Sequence, residues 1–181
     1  SMRLLIGYGF LNTAPDTAVQ LSKRFFEDAK NAKNKKYMGA ALNFEALALG
    51  NLGKYSEALN AFSNSLSIYN EIGLKHGAAN VLGNMGNVFL RQGKLEKSIS
   101  HQAQSLKLKK EIGSKAGVAA TLQNIGNVYD IQGDSEKAMN YYKQSEEQSE
   151  SIGDSIGVAM SRDNIGRMYD KQGLPEKALQ C

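Results

Sequence analysis

The stretch QNIGNVYDIQG, Gln123–Gly133, decides how this chain is read. With the preceding Leu122, apolar or small residues fall at Leu122, Ile125, Gly126 and Tyr129, the i, i+3, i+4, i+7 stripe of a helix with one buried side. The same turns hold Asn124, Asn127 and Gly126, residues that each cost a helix roughly 0.5–1 kcal/mol relative to alanine. A helix that keeps them uses them for something. The closing Gln-Gly fits a helix end, because glycine takes the left-handed cap conformation without strain.

The pattern recurs along the chain. LGNLGKYSEAL, FLRQGKLEKSI, YDIQGDSEKAM and YDKQGLPEKAL place Gly53, Gly93, Gly133 and Gly173 forty residues apart with no slip. Seven residues before them stand Ala46, Gly86, Gly126 and Gly166, and four before stand Leu49, Phe89, Tyr129 and Tyr169. Five after stand Ala58, Ser98, Ala138 and Ala178, and Phe62, Gln102 and Tyr142 follow nine after the first three. Each unit therefore reads as two helices. The glycine within the first stripe lets a second helix approach its backbone, so that packing offsets poor propensity. Asp134 is positioned as an N-cap and Pro175 as a first-turn residue. Gly73, Gly113 and Gly153 break the second helix, and Gly77, Gly117 and Gly157 precede the next unit.

Glycine, an aromatic three on, an alanine nine further, then an aromatic and a small residue, as in Gly126, Tyr129, Ala138, Tyr142 and Ser145, resembles the tetratricopeptide repeat family. The period is 40 rather than the common 34 of that family, and the usual proline near the unit's end is missing. The long form is similar to the repeats of Leu-Gly-Asn-type regulators, kinesin light chains and bacterial peptide-sensing regulators. The resemblance implies an all-α, right-handed α-solenoid of antiparallel helix pairs. The expected organisation is a degenerate helical unit over 1–36 and four repeats over 37–76, 77–116, 117–156 and 157–181, the last one truncated. Within 1–36, LLIGYGFL is read as a first helix and DTAVQLSKRFFEDAKNAK as a second, with Ala14-Pro15-Asp16 as the break.

In arrays of this family the first helices line the inner, concave surface. On that face stand Asn80, Asn84, Asn87 and Arg91, sharing one side at i, i+4, i+7 and i+11. Their equivalents are Ala120, Asn124, Asn127 and Ile131; Met160, Asn164, Arg167 and Lys171; and Ala40, Phe44, Leu47 and Asn51. A face needing only solubility would carry Lys, Glu or Gln. Asn84, Asn124 and Asn164 instead form a row of primary amides, each with two donors and an acceptor, suited to an extended peptide backbone. Phe44 and Leu47 are expected to give the groove an apolar end, and Arg167 and Lys171 a basic one. The alternative use of each asparagine is a bond to a neighbouring helix. The family's carboxylate clamp for chaperone tails needs lysine and arginine where this chain has Ala120 and Asn124, or Met160 and Asn164, so chaperone-tail binding is not expected.

Chemistry finds little support. His76, read as a loop residue, and His101 have no cysteine or carboxylate at metal-ligand spacing, and the adjacent Glu146 and Glu147 point apart on a helix. No cofactor and no enzymatic activity are expected. The 181 residues carry a formal charge of +4, spread between KNAKNKK (30–36), Lys107, Lys109, Lys110 and the acidic SEEQSESIGD. Asp130, Asp163 and Asp170 near the inner face argue against nucleic acid. No run approaches the ~20 apolar residues of a membrane span, and Cys181 is the only cysteine, so the expected place is the cytoplasm. The expected function is a scaffold holding an extended peptide of a partner protein. The alternative is a regulatory or dimerising module of a larger signalling protein, attached to an enzyme domain. Self-association is expected through the apolar side of the fourth unit, around Ile165 and Tyr169.

Overall fold

The computed structural model describes Leu11 and residues 13–181. Among these, the helices are α1 (Pro15–Asn31), α2 (Lys35–Asn51), α3 (Tyr55–Glu71), α4 (Lys75–Arg91), α5 (Leu95–Glu111), α6 (Lys115–Gln132), α7 (Ser135–Glu150), α8 (Ser155–Lys171) and a short α9 (Pro175–Ala178). No strand occurs among the described residues. The segment LLIGYGFL lies outside them apart from its last residue, Leu11, while DTAVQLSKRFFEDAKNAK forms most of α1.

The turns beat every twenty residues. Gly53, Gly73, Gly93, Gly113, Gly133, Gly153 and Gly173 all have φ between 66° and 84°. Around Gly53 the N–H of Lys54 donates to Leu49 O at 2.9 Å and that of Gly53 to Gly50 O at 3.2 Å, the paired bonds of a left-handed helix cap. Lys33 keeps the same beat at φ 52°, without glycine's freedom. Asn34, Asp134 and Asp154 cap α2, α7 and α8, accepting from the backbone N–H of Tyr37, Lys137 and Gly157. The first helices start two residues ahead of the repeat bounds read from sequence. Gly77, Gly117 and Gly157 therefore lie within first turns, and His76 is helical rather than in a loop.

The chain divides into two compact units, Ser1–Gln92 and Gly93–Cys181. In the first, α2 packs against α1 and α3, and α4 against α3 and α2. Its core holds Phe44, Phe62, Val81 and the ring of Tyr69. Ser65 Oγ donates to Gly39 O at 2.7 Å, drawing α3 onto α2. In the second, α6 packs against α5 and α7, and α8 against α7, α6 and α9. Ala138, Tyr142, Ile165 and Met168 form a core cluster, with Tyr129, Met139 and Tyr169 against it. Ser145 Oγ donates to Ala119 O at 3.0 Å, repeating the tie of Ser65.

Gly126 meets the expectation of close approach. A Cβ there would stand 2.6 Å from Cε1 of the fully buried Tyr142 ring. At Gly166 it would meet nothing nearer than Ala178 O at 3.5 Å, an ordinary contact, so this glycine is not required by packing.

Candidate functional site

The face read from the sequence is presented by the first helices α2 and α4 in one unit and α6 and α8 in the other. On α4, Asn80, Asn87 and Arg91 are exposed and Asn84 is half-buried. Asn84 Nδ2 donates to Asn43 Oδ1 on α2 at 3.1 Å. Two turns further along, Arg91 Nη1 donates to Asn51 Oδ1 at 3.2 Å, and Asn51 Nδ2 donates to Leu11 O at 2.8 Å. Polar side chains thus tie neighbouring first helices at a stagger of 40 or 41 residues. Asn80 faces His76 Nε2 at 3.2 Å, one turn back on its own helix.

Phe44 is a correction. It is 2% exposed and packs with Ala18 of α1 and Ala48, so it belongs to the core and not to an apolar end of a groove. The physical reason is α1, which covers that side of α2 and draws the largest apolar side chain of the face inward. Leu47 is half-buried.

In the second unit Asn127 Oδ1 accepts from Tyr142 Oη at 2.8 Å. Burial, and secondarily the Asp130 carboxylate, push the Tyr142 phenol up to about 12, so it holds its proton for Asn127. Asn164 is 7% exposed and accepts from Arg167. Asn124 is half-buried, and its side chain has no hydrogen-bond partner among the described residues. Arg167 also lies 3.7 Å from the Asp163 carboxylate, and Lys171 pairs with Asp130. The two cations expected to make a basic end are therefore matched by carboxylates one turn away or on the adjacent helix. Ile131 and Met160 are exposed, at 63% and 51%.

A cleft of about 200 Å³ opens where α2 and α4 begin. Ala40, Asn43, His76 and Asn80 line it, with Lys36 and Tyr37 at its edge and the buried Tyr69 beneath. Sequence reasoning named Asn80 and Ala40 but missed Asn43, Tyr37 and Lys36. Tyr37 was open to being found, since an exposed aromatic on a first turn is unusual for a merely solvated helix. Among the described residues, no group of three or more His, Cys, Asp or Glu is placed to hold a metal, and no helix is long and apolar enough to cross a membrane.

The family model of the tetratricopeptide repeat matches residues 37–111, 77–151 and 118–181, beginning within a residue of each repeat's start. The chain belongs to the tetratricopeptide repeat family. No curated protein matches it in sequence. Among solved structures, BtubC (BKLC) from P. vanneervenii superposes with a TM-score of 0.81 at 18% identity, over 93% of this chain and 70% of that one. A putative kinesin light chain from Podospora anserina with nearly identical tetratricopeptide-like repeats gives 0.77 at 12%, over 99% and 89%. A Rap protein complexed with Competence and Sporulation Factor gives 0.81 at 18%, over 96% of this chain and 48% of the Rap protein. At these identities the likeness is one of fold: an all-α tetratricopeptide solenoid, the architecture of protein-interaction scaffolds.

Proposed function

We propose that this tetratricopeptide array holds an extended peptide of a partner protein against its first helices, without chemistry of its own. The observation that carries the reading is the cleft between α2 and α4. There the Asn80 and Asn43 amides, His76 and an aromatic edge converge on a space of side-chain size. Amides offer donors and acceptors to a peptide backbone, and the aromatic edge offers a surface for one side chain. In the second unit, Asn124 keeps its amide uncommitted to any protein group, as a ligand-facing residue would. The solved Rap protein in complex with Competence and Sporulation Factor is a relative in fold whose own ligand lends support by analogy. The proposed binding residues are Asn80, Asn84, Asn87, Arg91, Asn124, Asn127, Asn164, Arg167 and Lys171, on a cytoplasmic protein. Asn80 and Asn124 would meet the ligand directly. Asn84, Asn127 and Asn164 would act by holding the face in shape.

The test is selection of peptides on the wild-type chain, followed by affinity measurements on Asn80→Ala and Asn124→Ala. Each loses threefold or more in affinity if the amides hold the ligand, whereas unchanged affinity in both removes the reading.

A second reading is self-association, not around Ile165 and Tyr169 as expected, because Ile165 is 5% exposed in the core cluster with Tyr142 and Met168 and Tyr169 packs against it. Ile156 and Met160, one turn apart on α8, are 74% and 51% exposed, and Leu179 is 89% exposed. Such apolar exposure favours a second copy as its cover. Sedimentation at rising concentration tests it, and Ile156→Lys with Met160→Lys should return the chain to a monomer.

A further inference from the structure

One position, buried in two helix pairs and half-buried in the third, differs between successive pairs. Tyr69, Lys109 and Ser149 stand forty residues apart, in the last turns of α3, α5 and α7. Tyr69 is 7% exposed, and its ring fills the slot over Gly39 and Gly77, where added Cβ atoms would come within 2.9 and 2.7 Å of it. Lys109 enters the corresponding slot as a flexible stem, its Cδ 3.0 Å from a Cβ built on Gly117. Its Nζ donates at 2.8 Å to Oγ1 of the buried Thr121, which itself donates to Gly117 O at 2.9 Å. No carboxylate lies within ion-pair distance of Lys109 among the described residues, and burial lowers its pKa from the ordinary lysine value. Lys109 thus carries a partly desolvated ammonium whose one protein partner is neutral.

A cavity of about 250 Å³ lies among α5, α6 and α7, with Lys109, Lys110 and Lys115 on one side and Gln144, Glu147 and Gln148 on the other. Lys110, Lys115 and Glu147 form no ion pair among the described residues. Three cations against one carboxylate leave an excess of positive charge beside two side-chain amides able to donate. That balance suits a dianion better than a single carboxylate.

We propose that this cavity is a binding site for a phosphoryl group. Lys109 is its inner donor, Lys110 and Lys115 draw the anion in, and Gln144 and Gln148 supply neutral donors. Glu147 opposes binding and limits it to ligands carrying two negative charges. The group comes either from a small phosphate ester or from a phosphorylated side chain. The site lies between the second helices α5 and α7 and the side of α6 that carries Lys115, Val118 and Leu122, apart from Asn124 and Asn127.

The test is titration of the ¹⁵N-labelled chain with inorganic phosphate, O-phosphoserine and a phosphoserine peptide at low ionic strength, with chloride as control. The expected result is a saturable shift of Lys109 Nζ and the Thr121 amide, at concentrations at least tenfold below any response to chloride. Lys109→Met should abolish it, while Lys54→Met in the other unit leaves it unchanged. Lys109→Leu, which keeps an apolar stem in this slot without the ammonium, should hold or raise the melting temperature while removing the phosphate response, so lost binding is separated from lost folding. Tenfold tighter binding of the peptide than of O-phosphoserine assigns the group to a phosphorylated protein, and equal binding assigns it to a small ester. Shifts that never saturate, or that persist in Lys109→Met and Lys109→Leu, overturn the proposal.

Discussion

Tyr142 donates its phenolic proton to Asn127 Oδ1 at 2.8 Å while its ring lies against the bare backbone of Gly126. Three residues that looked separate in sequence form one device. The glycine admits the ring, the ring fills the core between α6, α7 and α8, and the asparagine satisfies the hydroxyl that the ring carries inward. Gly126→Ala should accordingly cost about 1–3 kcal/mol by overpacking. Gly166→Ala, with only ordinary contacts around the new methyl, should be neutral or gain up to about 1 kcal/mol of helix propensity. Thermal unfolding of the two variants side by side checks the contrast.

The same pair predicts a pH dependence. Because the native phenol is held up to about 12 while an unfolded tyrosine titrates near 10, the native state binds more protons between those values. The stability Tyr142 contributes is therefore full below pH 10 and falls as pH rises towards 12. Tyr142→Phe lacks this titration, so its unfolding free energy should fall less steeply than wild type across that window. Parallel slopes would contradict the assignment.

Lys33 occupies a turn that glycine fills at each of the seven later beats. Lys33→Gly should stabilise the chain by about 0.5–1 kcal/mol, the relief of a left-handed backbone less the extra freedom of the unfolded glycine. Denaturant midpoints measure this directly, and Gly73→Lys should shift them in the opposite direction.

Glu45 stands where Met85, Ile125 and Ile165 occur in the other repeats. Burial raises its pKa, with Lys23 partly opposing and Glu57 adding to the rise. A raised carboxyl favours the native state only while protonated, so its contribution is present below the ordinary glutamate pKa and is lost as pH rises through the folded value. Glu45→Gln should leave stability at acidic pH unchanged and raise it modestly at neutral pH, by less than about 1 kcal/mol. A loss at neutral pH would show that the pairing with Lys23 outweighs burial.

The architecture was legible because glycine turns at one spacing and an apolar stripe at another agree over four copies, and no side-chain geometry is needed to read either. The face was legible only in part. Asn84 and Asn43 pair because α4 is staggered against α2, and a stagger between helices leaves no mark in a helix's own periodicity. Phe44 was misplaced because α1, not α2, determines which side of α2 is covered. Lys109 carried a signal in its alignment with Tyr69, and it passed as one of a run of surface lysines.

Asn84 and Asn124 also predict different consequences of the same substitution. Asn84→Ala removes the tie to Asn43 and should cost about 0.5–1.5 kcal/mol of stability. Asn124→Ala removes no protein hydrogen bond and introduces a better helix former, so its melting temperature should hold or rise.

The central claim, that a peptide lies on the first helices, is tested most directly by following side-chain amide resonances while a selected peptide is titrated into the labelled chain. The account predicts that the Asn80 and Asn124 amides shift and saturate with the peptide, while those on α5 and α7 stay in place. Saturable shifts confined to α5 and α7, with Asn80 and Asn124 unmoved, would contradict it.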